Sequence, residues 1–191
     1  MKLHIYLFRH GQTYFNRDHR FTGWKDSKLT PQGVKNAKKV AQKLKDKRID
    51  VAFCSHLSRS KDTLKEVLRY HPECRAVFVN DKIIERNYGK FQCLYHKTII
   101  AKYGKEMFDK WHRAYDFPPP GGESVHMVEK RVLIYVHELI RFMKREKVNV
   151  AISAHGNSMR PFRRYFEKLT IDEMMALEQP YDDYFEYVIE A

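Results

Sequence analysis

Two short apolar runs in this chain each break off at a His-Gly pair, and that repetition constrains the fold more than anything else in the sequence. Lys2–Phe8 (KLHIYLF) leads into Arg9-His10-Gly11, and far downstream Val148–Ala154 (VNVAISA) leads into His155-Gly156-Asn157. Short runs with little polar alternation read as strands covered on both faces, the pattern of parallel sheets in α/β proteins. Both histidines then sit where a strand stops and a loop begins. Open α/β sheets bind ligands outside the carboxyl ends of their strands. Two histidines and an arginine at one such edge point to phosphoryl chemistry.

The remaining elements fit the same frame. Strands are predicted at residues 2–8, 51–54, 76–79, 148–153 and 184–189. Thr30-Pro31 opens a helix to about residue 47, threonine capping and proline suiting the first turn. A second helix is expected over 57–69, and residues 94–117 read as helical in pieces, rich in Tyr, Lys and Trp. Pro118-Pro119-Pro120-Gly121-Gly122 is a rigid loop. Ser124 starts a long helix with Val125, Val128, Val132, Val136, Leu139, Ile140 and Met143 on one face, and another helix begins near Ser158. Strands alternating with helices imply an α/β fold, a mainly parallel sheet with helices on both faces. A chain of 191 residues is expected to be one domain.

Composition narrows the function. No stretch is apolar and long enough to span a membrane, and the charged N-terminal turn does not suit a signal peptide. The three cysteines (Cys54, Cys74, Cys93) lack CxxC or zinc-like spacing, so a reduced, cytoplasmic protein is expected. The net charge is +12, with much of it in Lys35, Lys38, Lys39, Lys43, Lys45, Lys47 and Arg48. Val34, Ala37, Val40, Ala41 and Leu44 interleave with these at helical spacing, which makes a solvated lysine face on an amphipathic helix. No nucleic-acid motif accompanies the charge, so no nucleic-acid partner is expected. His71, His126 and His137 have no metal-like spacing and are expected at the surface, and no metal is expected. A Gly-rich nucleotide loop is absent, which argues against ATP.

The chemistry starts at Arg9-His10. Neutral imidazole is a good nucleophile toward phosphorus, and phosphoryl transfer is catalysed by positioning and by charge around the equatorial oxygens. The arginine fork suits those oxygens, and Gly11 is expected to let the backbone approach an anion. The second strand runs into Ser55-His56-Leu57-Ser58-Arg59, which places Arg59 near a helix N-terminus that also favours an anion. Each feature alone is weak. Three strand ends offering Arg9, His10, Arg59 and His155 to one phosphate are hard to assign to chance.

These residues resemble the histidine phosphatase superfamily. Phe21-Thr22-Gly23-Trp24, Leu29-Thr30-Pro31, Glu85-Arg86-Asn87-Tyr88-Gly89 and Trp111–Pro120 (WHRAYDFPPP) resemble its cofactor-dependent phosphoglycerate mutase branch, in the family's order over nearly the whole chain. The resemblance implies a three-layer αβα sandwich with a helical substrate-site insertion at about 88–122. It makes His10 the phosphorylated nucleophile, Arg9, Arg59 and His155 the holders of the transferring group, and Glu85 the general acid and base. It places Asn16, Thr22, Gly23 and Asn157 along the substrate site, with Tyr88, His96, His112 and Arg113 toward its far end. It implies 2,3-bisphosphoglycerate as priming phosphate donor, no metal, a small phosphorylated metabolite as partner and a cytoplasmic setting. A homodimer is left open. A phosphatase using the same phosphoenzyme is the alternative activity.

The chain departs from that pattern at places tied to specificity. His96 stands where the mutases carry lysine, with Lys97 as a neighbour able to substitute, and His112 stands where they carry the first of two arginines. Phe15 replaces a tryptophan, which reads as a packing change, and Pro180–Phe185 replaces a Pro-Thr-Gly turn, which bears on closure of the site over bound substrate. A histidine titrates at about 6.5, so the two replacements predict a KM that rises between roughly pH 6 and 8.

Overall fold

Alternation along the first strand decides how the layers stack. In the computed structural model, which describes Met1–Ala191, β1 (Lys2–Arg9) sends Leu3, Ile5 and Leu7 to one face of the sheet and Tyr6 and Phe8 to the other. With β2 (Val51–Cys54), β3 (Ala76–Val79), β4 (Val150–Ala154) and β5 (Tyr184–Glu190) it forms a sheet of order β3-β2-β4-β1-β5. The first four strands run parallel and β5 closes the far edge antiparallel to β1. The mainly parallel sheet is the one expected from the sequence.

Helices cover both faces. α2 (Pro31–Leu44) and α3 (Ser58–Leu68) bring Val40, Ala41, Leu44, Leu64 and Val67 against Tyr6, Phe8 and Ala52. On the other face α6 (Val125–Glu146) and α7 (Gly156–Glu167) bring Val128, Val132, Val136, Leu139, Met159 and Phe162 against Leu3, Ile5, Leu7 and Ile152. Burial on both sides is why the strand sequences show no polar alternation. The path from β1 leaves over one face and the path into β4 arrives over the other, so the carboxyl ends of these neighbouring strands open onto a crevice.

Residues 94–117 resolve into α4 (His96–Tyr103) and α5 (Lys105–Arg113), split at Gly104, whose φ of 82° ends one helix and starts the next. They close a small aromatic core of Phe21, Tyr88, Phe91, Ile99, Phe108 and Trp111, separate from the two faces of the sheet. Two short helices were not expected: α1 (Tyr14–Arg17) and α8 (Ile171–Ala176). Each is held by a capping box, Thr13 with Asn16 and Thr170 with Glu173, rather than by a long apolar face.

The lysine face of α2 is solvated as expected, and along it Lys39, Lys43 and Lys47, four residues apart, pair with Asp182, Asp183 and Glu186 at 3.1, 3.0 and 2.9 Å. One surface expectation needs correction. His71 is not at the surface. It is 2% exposed, with Nδ1 held by Glu73 at 3.0 Å at the end of the α3–β3 connection. No helix is long and apolar enough to cross a membrane, and Cys54, Cys74 and Cys93 are unpaired.

Candidate active site

Strand pairing sets the two histidines side by side. Arg9 lies opposite Ala154 in the β1–β4 ladder, and the His10 N–H extends it by donating to the Ala154 carbonyl at 3.1 Å. The His10 and His155 rings follow, 5.0 Å apart. A cavity of about 530 Å³ opens over these strand ends. Arg9, His10, Asn16, Thr22, Gly23, Arg59, Glu85, Tyr88, His96, His112, Arg113 and Asn157 all line it. His155 alone of the sequence-predicted set does not. It is fully buried one layer beneath, behind His10.

His10 is built as a nucleophile. Its Nδ1 lies 2.8 Å from the Gly11 carbonyl, which can only accept, so Nδ1 carries the proton and Nε2 keeps its lone pair. Burial, and then Arg59 and Arg9, hold its pKa well below the ordinary histidine value, so it is neutral at pH 7. His155 is held neutral by the same causes, burial first, and its Nε2 is engaged by the Ser55 hydroxyl at 2.8 Å. Arg59, with no exposed surface, donates to the carbonyls of Gly23 and Lys25 at 2.8 and 2.9 Å. Burial lowers its pKa to about 10, which leaves it charged at neutral pH.

Two roles read from the sequence fall to other causes. Gly11 does not line the cavity. A Cβ there would sit 2.2 Å from the Gly33 carbonyl at the start of α2, and its N–H is taken by Thr63 at 3.0 Å, so the glycine serves close packing. The α3 N-terminus is not free for phosphate either, because Asp26 accepts the Ser58 N–H at 3.1 Å and its hydroxyl at 2.9 Å.

Glu85 faces the same cavity at 7% exposure. One carboxylate oxygen accepts the backbone N–H groups of Arg86 and Asn157 at 2.7 and 3.2 Å, which leaves the other for a ligand proton. Arg86, next to it in sequence, makes no ion pair with Glu85. Its guanidinium is fully buried and donates to the carbonyls of Glu123, His112 and Phe117 at 2.6, 3.3 and 3.3 Å, tying the 112–123 segment to the site. Asn157 donates to the Tyr88 hydroxyl at 3.2 Å.

The far end departs from the expectation for its histidines. His96 and His112 pack with ring centres 5.2 Å apart, tilted by 54°, against Phe21 and Phe108. Burial pushes both pKa values down to about 4, so neither carries charge in the free protein between pH 6 and 8. The predicted titration in that range is therefore absent from the resting site. Lys97 does not replace the missing cation. It lies over the Tyr95 ring, exposed and outside the cavity.

Sequence reasoning missed one wall and two cations. Residues 175–181 close the cavity, held by Arg160 on the Met174 and Met175 carbonyls at 3.0 and 2.6 Å and by Arg9 on the Gln179 carbonyl at 3.0 Å. Tyr181 lies over the Arg9 guanidinium, 4.1 Å from it. Arg160 follows Asn157 by one helical turn, a spacing that could have revealed it. Tyr181 falls in the Pro180–Phe185 stretch that departs from the family pattern, whereas nothing in the sequence marks Gln179. Arg20, inside the Asn16–Thr22 loop, also lines the cavity. Around this site Arg9 Nε, Arg59 Nε and Gln179 Nε2 are buried donors without a protein partner, beside the unpartnered ring nitrogens His112 Nδ1 and His155 Nδ1, and donors left in this way suit an anion.

The pattern of the histidine phosphatase superfamily (branch 1) matches residues 5–189, almost the whole chain. The chain belongs to the histidine phosphatase superfamily. A 2,3-bisphosphoglycerate-dependent phosphoglycerate mutase of a Bradyrhizobium species is 40% identical over 91% of this chain and 86% of its own length. Among solved structures, a phosphoglycerate mutase of Bacillus anthracis superposes with a TM-score of 0.82 at 20% identity, over 99% of this chain and 88% of that one. A mycobacterial glucosyl-3-phosphoglycerate phosphatase superposes with a TM-score of 0.80 at 26% identity, over 93% and 85%. In this superfamily member no three His, Cys, Asp or Glu side chains converge as a metal-ligand set.

Proposed function

We propose that this chain is a 2,3-bisphosphoglycerate-dependent phosphoglycerate mutase of the cytoplasm, interconverting 3-phosphoglycerate and 2-phosphoglycerate through a phosphohistidine at His10. The observation that carries the reading is the neutral His10, Nδ1 fixed on a carbonyl, beside the buried Arg59 and the half-buried Arg9. The partnerless donors fit a phosphate at that end, and the cavity has room for a second anionic group. When bound, the bisphosphate supplies the phosphoryl group that primes His10. Three unpaired cysteines fit a reducing compartment. We also place the whole reaction in one catalytic domain, with residues 88–122 as its substrate-site insertion.

The chain's own residues account for the transfer. Arg9 and Arg59 hold the equatorial oxygens in place while the phosphorus passes to or from His10 Nε2. His155, behind His10, keeps a donor for the same group. In the return step a substrate hydroxyl oxygen bonds to phosphorus, the N–P bond of His10 breaks, and the hydroxyl proton goes to the free oxygen of Glu85. In the forward step Glu85 gives that proton back to the leaving oxygen. Thr22, Gly23, Asn16 and Asn157 line the path between the two ends.

A second reading has one observation in its favour. Neutral His96 and His112 weaken the grip on a substrate's anionic end, which suits a phosphatase that lets water take the phosphoryl group. One experiment separates the two: incubation with 3-phosphoglycerate, with and without the bisphosphate, scoring 2-phosphoglycerate and free phosphate together. The mutase reading requires 2-phosphoglycerate as main product and a dependence on priming. Free phosphate as main product establishes the phosphatase. The His10→Ala variant must form no acid-labile phosphoenzyme in either case.

A further inference from the structure

We propose that Arg20 is the cavity's second anion clamp, the group that takes the carboxylate of a phosphorylated hydroxy acid while its phosphate sits at His10. The proposal rests on the reading of the site as one for phosphoglycerates.

A small built structure holds Arg20. Residues 19–21 pair with residues 93–96: Phe21 N–H donates to Leu94, Cys93 N–H to Phe21 and His96 N–H to His19, at 2.9, 2.7 and 2.9 Å. His19 and Cys93 flank this pairing in the left-handed region, φ 52° and 71°, though neither is glycine. Such conformations persist only where the surroundings impose them. Between them the Arg20 guanidinium is sandwiched by two rings, 4.5 Å from Phe15 and 4.8 Å from Tyr95. Its Nε donates to the Cys93 carbonyl at 2.7 Å. One bond and two rings fix the plane of the fork.

The donors that remain are uncommitted. Neither terminal nitrogen of Arg20 bonds any protein atom, and Asp18 on the same turn is paired with Arg17 at 2.7 Å. Arg20 lines the cavity beside His96, His112 and Arg113. The two imidazoles are neutral and Lys97 is turned away, so the permanent charge at this end comes from Arg20 and Arg113. Arg113 is an exposed side chain with no partner, whereas Arg20 is already ordered. A planar, pre-ordered fork matches a carboxylate in bidentate fashion and loses little freedom on binding it.

The test compares two esters that share a phosphate and differ in the carboxylate. Dissociation constants of 3-phosphoglycerate and glycerol 3-phosphate are measured by calorimetry on the parent, Arg20→Gln and Arg20→Lys proteins. Vanadate binding at the His10 end serves as a check on folding. We expect Arg20→Gln to weaken 3-phosphoglycerate about tenfold or more and glycerol 3-phosphate less than about twofold, as befits loss of one charge-assisted contact. Arg20→Lys should regain part of the difference, and vanadate should bind both variants as it binds the parent. Equal loss for both esters, no loss for either, or loss of vanadate binding would each overturn the proposal. The ratios hold whether water or a hydroxyl later takes the phosphoryl group. A wild-type protein that makes no 2-phosphoglycerate therefore defeats the mutase reading and leaves this test intact.

Discussion

Acidification should destabilise this protein through its two packed histidines, His96 and His112, and the double variant His96→Gln/His112→Gln should remove that part of the loss. Burial pushes both rings from the ordinary value to about 4 in the folded state. In the unfolded chain they return to about 6.5. Above that pH neither state binds the proton and the rings contribute nothing to the pH dependence. As the pH falls below about 6.5 the unfolded chain takes up protons that the folded one refuses, so stability drops until the pH reaches the folded value. Between about pH 6.5 and pH 5 the ceiling is about 2 kcal/mol for each ring, at 1.36 kcal/mol per pH unit. Both rings are only partly buried, so screening by water reduces this to about 1 kcal/mol each, or about 2 kcal/mol for the pair.

Urea unfolding at about pH 7 and about pH 5 on parent and double variant measures the effect. His10 and His155, held neutral by deeper burial, add a loss of the same sign to both proteins and cancel in the difference. The parent should lose about 2 kcal/mol more than the variant over this interval. Parallel losses would show that His96 and His112 titrate normally in the folded protein. The far end of the site would then carry histidine charge at mildly acidic pH.

Three further outcomes follow from the same geometry. Gly11→Ala should cost about 3 kcal/mol of stability, read by thermal or urea unfolding, because its Cβ meets the Gly33 backbone at 2.2 Å and neither chain segment can yield cheaply. Arg86→Met should raise the KM for 3-phosphoglycerate more than about tenfold while vanadate still binds, since the 112–123 segment loses its three carbonyl tethers and the strand ends do not. Activity should survive EDTA, with the arginines supplying the charge around phosphorus; loss on chelation with recovery on adding a divalent ion would refute that assignment.

The two ends of the cavity differ in how legible they were, and the difference has a physical origin. Arg9, His10 and His155 are placed by strand ends, and strands buried on both faces announce themselves by local composition. Their neighbours in space are fixed once β1 and β4 pair, so a reader of the sequence needs only that one long-range step. The antiparallel direction of β5 had no such signal, since an edge strand of apolar and acidic residues reads alike in either direction. Gly11 shows a limit even at the legible end: the residue type pointed to a close approach, but the approaching group is the Gly33 carbonyl and not an anion.

The far end is assembled by arginines bonding to backbone carbonyls. Arg86 holds Glu123, His112 and Phe117 in this way, Arg160 holds Met174 and Met175, and Arg9 holds Gln179. A carbonyl belongs to every residue, so these partners leave no mark in the sequence, and Arg20 looks like any other of 36 basic residues until Phe15 and Tyr95 close on it. Charge at this end is equally non-local. The identity of His96 and His112 was plain from the sequence, but their protonation is set by burial against Phe21 and Phe108, and then by His19 beside His96 and by His96 beside His112. A histidine that replaces a lysine or arginine in a packed aromatic wall thus loses its charge altogether and does not become a weaker cation. Specificity at this site must therefore be argued from which arginines remain free, and not from the count of basic side chains that line it.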